Sequence, residues 1–274
     1  MTDTDPQFTS FCCAFLDSGV GGLPYLRQLK HLSPGTACIY VADTAHFPYG
    51  EKTPQQVSAS AAETVEKILA RFSPGVLVVA CNTISVTALD ALRRTFPLPF
   101  VGTVPAIKRA AAISKNRVIG LLATERTVEN PYTRKLAHDF AADCRMIYQP
   151  ASGLVSLIEK RLLFAASGER VDAVRPVVRP FLEGGADTVV LGCTHFLHLS
   201  DAFQTALGSG VQVVDSLDGV AQQACRILHG GASGTLLPPA SPDALFVTGP
   251  LSPEQEENYR RICPLFRLQW GGML

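Results

Sequence analysis

The sequence predicts an α/β protein in which mainly parallel sheet is covered by helices, and three observations carry that prediction. Short apolar runs, often β-branched, recur along the chain, and each stops at a polar or small residue. Stretches with helical spacing lie between them. One strand-end motif occurs twice: Val78-Val79-Ala80-Cys81-Asn82-Thr83 is echoed by Val189-Val190-Leu191-Gly192-Cys193-Thr194-His195, which points to duplication or pseudo-symmetry. Continuous apolar strands must bury both faces, and parallel sheet between helix layers achieves this.

In chain order the predicted strands are Phe11–Leu16 before Asp17, Cys38–Ala42 before Asp43, Val76–Ala80 before Cys81, and Phe100–Gly102 before Thr103. Then come Arg117–Ala123 before Thr124, Arg145–Tyr148 before Gln149, Thr188–Gly192 before Cys193, and Val211–Val214 before Asp215. After the first run, Gly19-Val20-Gly21-Gly22 reads as a tight strand-to-helix turn, for which glycine is the default. It lacks both GxGxxG spacing and the Lys-Ser/Thr of a phosphate loop. The clearest helix, Pro54 to Phe72, places Val57, Ala61, Val65, Ile68 and Phe72 on one face. Thr53 is its predicted cap, Pro54 suits the first helical position and Gln56 completes a capping box. Phe96-Pro97-Leu98-Pro99 reads as a linker, so the 274 residues divide into two modest cores.

Lys+Arg and Asp+Glu are each 24, giving a formal net charge of zero, and no basic run resembles a nucleic-acid footprint. A small-molecule partner is expected. The start Met1-Thr2-Asp3-Thr4-Asp5 is acidic, and Phe11–Leu16 is too short for a signal core or a membrane span, so the chain reads as cytoplasmic. Eight cysteines, at 12, 13, 38, 81, 144, 193, 225 and 263, show neither CxxC spacing nor the density of a disulfide scaffold, and are expected to be reduced.

Residues just beyond the carboxyl ends of parallel strands line ligand crevices, which singles out Asp17, Ser18, Asp43, Cys81, Thr124, Cys193 and Asp215. Six of the cysteines read as small hydrophobes. Cys81 and Cys193 differ: each follows a small residue expected to let a ligand approach the backbone. Each also precedes donors able to hold a carboxylate, Asn82 and Thr83 or Thr194 and His195. One such site suggests a nucleophile; two related by pseudo-symmetry suggest an opposed acid and base, as inversion of a stereocentre by proton transfer requires. A thiol's reference pKa of about 8.5 leaves both protonation states accessible after modest tuning. The α-carbon is a far weaker acid, so the site must also stabilise a carbanion-like transition state with fixed donors. His195 is placed to serve Cys193, and Asp17 the Cys81 side. A single-thiol transferase or hydrolase using Cys193 and His195, and a carboxylate-binding protein without turnover, remain the alternative classes. Cys193, His195 and His198 crowd together, but neighbouring strand-end side chains diverge and no second ligand cluster supports them, so no metal is expected.

These residues resemble the glutamate racemases of the aspartate/glutamate racemase superfamily. Asp17-Ser18-Gly19-Val20-Gly21-Gly22-Leu23 is similar to the family's opening motif, Pro48-Tyr49-Gly50 to its substrate loop, Cys81-Asn82-Thr83 and Gly192-Cys193-Thr194-His195 to its two catalytic cysteine motifs. Thr103-Val104-Pro105-Ala106-Ile107, Thr124 with Thr127, and Val214-Asp215-Ser216 are similar to further family segments. The resemblance implies reversible interconversion of L- and D-glutamate without pyridoxal phosphate or any other cofactor, supplying D-glutamate for peptidoglycan; a related racemase of aspartate or another amino acid is the nearest alternative. It gives Cys81 the deprotonation of the D-enantiomer and Cys193 that of the L-enantiomer, with Asp17 and His195 assisting. Ser18, Asn82, Thr83, Thr124 and Thr194 would bind substrate with Pro48, Tyr49 and Gly50. Thr127 and Glu159 would stand behind them. It also implies a homodimer, and two lobes facing one cleft, residues 1–98 with 207–274 and residues 99–206. Two segments depart from the pattern: Phe196-Leu197-His198 replaces an aromatic-Pro-Leu, and Gln149-Pro150-Ala151-Ser152-Gly153 lacks a frequent Cys-Pro.

Overall fold

The computed structural model describes residues 12–230 and 243–274; the acidic start of the chain and Phe11 of the first predicted run lie outside the described residues. The chain forms two compact units, Met1–Tyr49, Thr53–Thr103 and Leu217–Leu274 in the first, Gly50–Lys52 and Val104–Ser216 in the second.

The first unit runs β1 (Cys12–Asp17), α1 (Leu23–Leu32), β2 (Ala37–Ala42), α2 (Pro54–Arg71), β3 (Val76–Val79), α3 (Asn82–Thr95) and β4 (Phe100–Gly102). The second runs α4 (Ile107–Ile113), β5 (Val118–Ala123), α5 (Glu125–Glu129), α6 (Pro131–Phe140), β6 (Arg145–Pro150), α7 (Ser152–Lys160), α8 (Ser167–Glu183), β7 (Thr188–Leu191), α9 (Ser200–Leu207) and β8 (Gln212–Val214). The chain then returns to the first unit with α10 (Leu217–Leu228), β9 (Ala244–Val247), α11 (Pro253–Ile262) and β10 (Gln269–Met273).

Each unit holds one sheet, ordered β10-β9-β2-β1-β3-β4 in the first and β6-β5-β7-β8 in the second, and every strand pair is parallel. Strands β1, β2, β3, β5, β7 and β9 are buried on both faces, which is why their sequences read as continuous apolar runs instead of alternating ones, whereas β6, β8 and β10 at the sheet edges are partly exposed. In the first unit β1, β2 and β3 pack against α2 and α3 through Leu16, Val41, Val79, Val65, Ile68 and Ile84. Helix α2 begins as its sequence predicts: Thr53 accepts from Gln56 N at 3.3 Å and Gln56 Oε1 returns to Thr53 N at 2.9 Å. Among the described residues no helix is long and apolar enough to cross a membrane.

Two boundaries fall later than the predicted 98/99 and 206/207. Strand β4 pairs with β3, and β8 pairs with β7, so the crossings follow Thr103 and Ser216. Prolines at 97 and 99 mark a turn, but sheet membership is decided by which backbone a short strand hydrogen-bonds, and that partner is distant in sequence. Strands β9 and β10 are absent from the sequence-level prediction. β9 extends the first sheet by pairing with β2, Ile39 opposite Ala244, across about two hundred residues of chain. β10 contains Gly271, a residue that reads as a turn; there, a Cβ would fall 2.3 Å from the Phe246 ring, so glycine is needed for close packing.

Candidate active site

The two sheets repeat one local plan. In the first, the chain leaves β1 for β2 on one side and then crosses to β3 on the other; in the second, β5, β6 and β7 follow the same course. In parallel sheets ligands bind at such a reversal, outside the carboxyl ends of the two strands that flank it, here β1 and β3, and β5 and β7. The equivalence extends to single hydrogen bonds. Ala80 N donates to Leu16 O at 2.7 Å and Gly192 N to Leu122 O at 2.7 Å, so Cys81 and Cys193 leave their strands at matching positions. Asp43 N donates to Asp17 O at 2.7 Å, and Ala151 N to Ala123 O at 2.9 Å, which pairs Asp17 with Ala123 and Ser18 with Thr124. The backbone plan is shared while the carboxylates are not.

In the first unit, Cys81 is buried at the N-cap of α3, whose first-turn amide N–H groups point out of the helix end and favour an anion. Asn82 is buried directly after it, and its Nδ2 has no hydrogen-bond partner among the described residues. A buried amide donor without an acceptor is costly, and a substrate carboxylate would satisfy it. Ser85 ties the helix to the sheet: its hydroxyl donates to Val79 O and accepts from Thr103 N, both at 3.0 Å. Asp17 is fully buried at the end of β1, and its Oδ1 accepts from Ser18 N at 2.7 Å.

The loop between Ser18 and α1 is held by Tyr40, a residue that carries no distinguishing sequence signal. Its buried hydroxyl accepts from Gly22 N at 2.9 Å and donates to Gly19 O at 2.8 Å. Gly22 has an ordinary helical backbone (φ −80°), so the turn does not need glycine for conformational freedom; a Cβ there would meet Ala80 Cβ at 2.5 Å. Ala80 is therefore small because Gly22 lies against it. Gly192 is small for the same kind of reason, since its Cβ would stand 2.8 Å from Leu121 Cδ1. Close packing within each unit, and not ligand access, explains both small residues. Tyr40→Phe would leave two buried backbone groups without their partner. It is expected to cost about 1–3 kcal/mol in urea unfolding and to weaken substrate binding through the displaced 18–22 loop.

In the second unit Cys193 is buried before a 3₁₀ turn, Thr194–Leu199, that leads into α9. The repeat of the cysteine motif thus differs in its continuation: α-helix after Cys81, 3₁₀ turn after Cys193, where Phe196-Leu197-His198 departs from the family pattern. Phe196 stacks edge-on against Phe203 with ring centroids 5.9 Å apart, and Arg170 donates to His198 O, fixing the turn on α8 and α9. His195 is 1% exposed, and its Nε2 stands 2.7 Å from Glu159 Oε1 at the end of α7. Ala151 N pairs with β5, so the departure at 149–153 leaves the approach to α7 docked on the sheet. Thr124 caps α5, accepting from Thr127 N at 3.3 Å and donating to Thr127 Oγ1 at 3.1 Å. Gly50 packs on Thr124; a Cβ there would approach the threonine methyl to 3.1 Å.

Of the predicted site residues, Asp17, Ser18, Cys81, Asn82 and Thr83 lie buried in the first unit, and Thr124, Thr127, Cys193, Thr194 and His195 lie buried in the second, where Glu159 meets His195. Tyr49 is also buried, and its hydroxyl donates to Asp43 Oδ2 at 2.5 Å. Burial, and then the Asp43 charge, push this phenol far above its ordinary range, so it stays a donor. Asp43 was legible only as a strand end; its partners His46 and Thr248 gave no sequence signal because they meet it only in the folded chain. Among the other thiols, burial raises Cys263 to about 11 and also raises Cys144 and Cys225, which keeps them neutral. No group of three or more His, Cys, Asp or Glu among the described residues is arranged to hold a metal ion.

This combination defines a class: a two-unit parallel α/β enzyme with one buried thiol at an equivalent strand end in each unit. Residues 25–224 match the Asp/Glu/hydantoin racemase family, and the chain belongs to that family. It is 40% identical to the glutamate racemase of Treponema pallidum (strain Nichols), covering 100% of this chain and 99% of the relative. It is also 40% identical to that of Klebsiella pneumoniae (strain 342), over 83% of this chain and 80% of the relative. The crystal structure of Escherichia coli glutamate racemase with L-glutamate and the activator UDP-MurNAc-Ala superposes with a TM-score of 0.87 at 34% identity, covering 97% of this chain and 98% of that one.

Proposed function

We propose that this racemase interconverts L- and D-glutamate by proton transfer between substrate and two thiols, Cys81 and Cys193, without a cofactor. The observation that carries the reading is the equivalence of the two thiols, each leaving its sheet after the same backbone hydrogen bond and each followed by polar side chains. Two related thiols have no use in a single-nucleophile mechanism, whereas inversion needs one group to take the α-proton and another to deliver one.

In the direction from D-glutamate, the Cys81 thiolate takes the α-proton, and the electron pair remains on the α-carbon as a carbanion. The Cys193 thiol then gives its proton to the opposite face, leaving a Cys193 thiolate and a Cys81 thiol. The reverse direction starts from that state. The substrate carboxylate, held by Asn82, Thr83 and Thr194 with the α3 amides, accepts part of the developing charge. Asp17 assists Cys81; His195, oriented by Glu159, assists Cys193. The Pro48–Gly50 segment completes binding, and the product serves peptidoglycan synthesis in the cytoplasm from a homodimeric enzyme.

Circular dichroism tests the substrate directly. Enzyme is expected to drive the signal of an L-glutamate solution to zero and to leave L-aspartate unchanged. Loss of signal with aspartate alone would overturn glutamate as substrate.

A further inference from the structure

The segment that follows β2 and carries Pro48 and Tyr49 is docked on the end of β9, in a part of the chain beyond residues 25–224, the span that matches the family. Thr248 N donates to Ala42 O at 3.2 Å, prolonging the β2–β9 pairing by one residue. The Thr248 hydroxyl then does two things. It donates to Asp43 Oδ1 at 2.6 Å and accepts from Ala45 N at 3.2 Å. One residue on, Gly249 N donates to Thr44 Oγ1 at 3.1 Å. A Cβ at position 249 would stand 2.9 Å from Ala45 Cα and 3.0 Å from Ala45 N, so the approach requires glycine.

Asp43 gathers these contacts. Its fully buried carboxylate takes the Thr248 hydroxyl on Oδ1, the Tyr49 hydroxyl on Oδ2, and His46 Nδ1 at 2.9 and 3.0 Å. His46 Nε2 lies 3.6 Å from Glu63 on α2, which is itself paired with Lys67. The segment is thus held at its start by Thr248 and Gly249, in its middle by His46, and at its end by Tyr49. Since the Tyr49 phenol is spent on Asp43, what Pro48 and Tyr49 can offer a ligand is backbone, and backbone position is what the clamp fixes.

We propose that Thr248 is a positioning residue for substrate binding: acting through Asp43, it sets the Thr44–Tyr49 backbone in the geometry that meets the substrate. The proposal rests on the reading of Pro48–Gly50 as a substrate segment. It assigns a functional role to the C-terminal return of the chain, which otherwise reads as completion of the sheet.

Thr248→Val keeps the shape and removes both the donor to Asp43 and the acceptor for Ala45 N. It is expected to raise KM for glutamate about tenfold while kcat changes by less than about threefold, because the lost bonds act on binding and not on the thiols. Thr248→Ser restores the hydroxyl and is expected to restore KM. Amide hydrogen exchange, read by mass spectrometry, should accelerate in residues 44–49 of Thr248→Val and stay unchanged in α2 and β3. An unaltered KM, a Thr248→Ser variant as impaired as Thr248→Val, or faster exchange throughout the sheet would overturn the proposal. If the wild-type protein fails to racemise glutamate, the functional reading fails, and exchange alone decides the clamp: local acceleration at 44–49 upholds it and no acceleration refutes it. Should Thr248→Val not fold, Tyr49→Phe removes the donor on the other side of Asp43 and is read by the same two measurements.

Discussion

Cys81→Ala and Cys193→Ala are each expected to abolish racemisation in both directions, with kcat/KM falling by at least about 10⁴-fold. In the proposed mechanism each turnover uses both thiols, one as base and one as acid, so neither alone would sustain inversion. Enantiomers have equal free energy in achiral solvent, so kcat/KM must fall by the same factor from L- and from D-glutamate, whatever the individual kcat and KM values do. Both cysteines are buried small side chains at helix or turn starts, and truncation to alanine is expected to cost about 1 kcal/mol of stability, which urea unfolding can confirm. Loss of activity with a retained fold would therefore be chemical. Turnover surviving in Cys81→Ala but not in Cys193→Ala would instead indicate a single-thiol transferase or hydrolase.

The second large effect is expected at His195. His195→Asn should lower kcat/KM about 10²- to 10³-fold, and Glu159→Gln about tenfold. The contact of Nε2 with Glu159 Oε1 at 2.7 Å places the ring proton on Nε2, because a carboxylate only accepts. Glu159 thus fixes the ring's tautomer and orientation from behind, and the glutamine variant keeps the shape while losing the charge. The contrast is measurable in kcat/KM, with urea unfolding of each variant to show that the fold is retained. If both variants lose activity only in proportion to unfolding, the pair is structural. No equivalent pair is expected on the Cys81 side, where the buried carboxylate of Asp17 occupies the position that Ala123 holds in the second unit.

The inner strands were legible because parallel strands buried on both faces leave a continuous apolar run that ends abruptly at a polar or small residue, and β6 and β8 at the sheet edge kept shorter apolar runs. Helix α2 was legible down to its capping box, since Thr53, Pro54 and Gln56 act within one turn. The paired thiols were legible for a similar reason: strand, small residue, cysteine and donors are consecutive in sequence. The reason for the small residues was not, because Ala80 is set by Gly22 and Gly192 by Leu121, each far along the chain. Likewise Tyr40 looked like any strand residue until its hydroxyl closed the Gly19–Gly22 turn.

Local pattern in the sequence was enough for the α/β class and for the strand-end placement of Asp17, Cys81, Thr124 and Cys193. Only the tertiary structure decided that β9 and β10 complete the first sheet, that the unit crossings follow Thr103 and Ser216, that Glu159 meets His195, and that Thr248 and Asp43 hold Tyr49. Those contacts join residues separated by tens to hundreds of positions, and a hydrogen bond between distant side chains leaves no periodicity in either partner's neighbourhood.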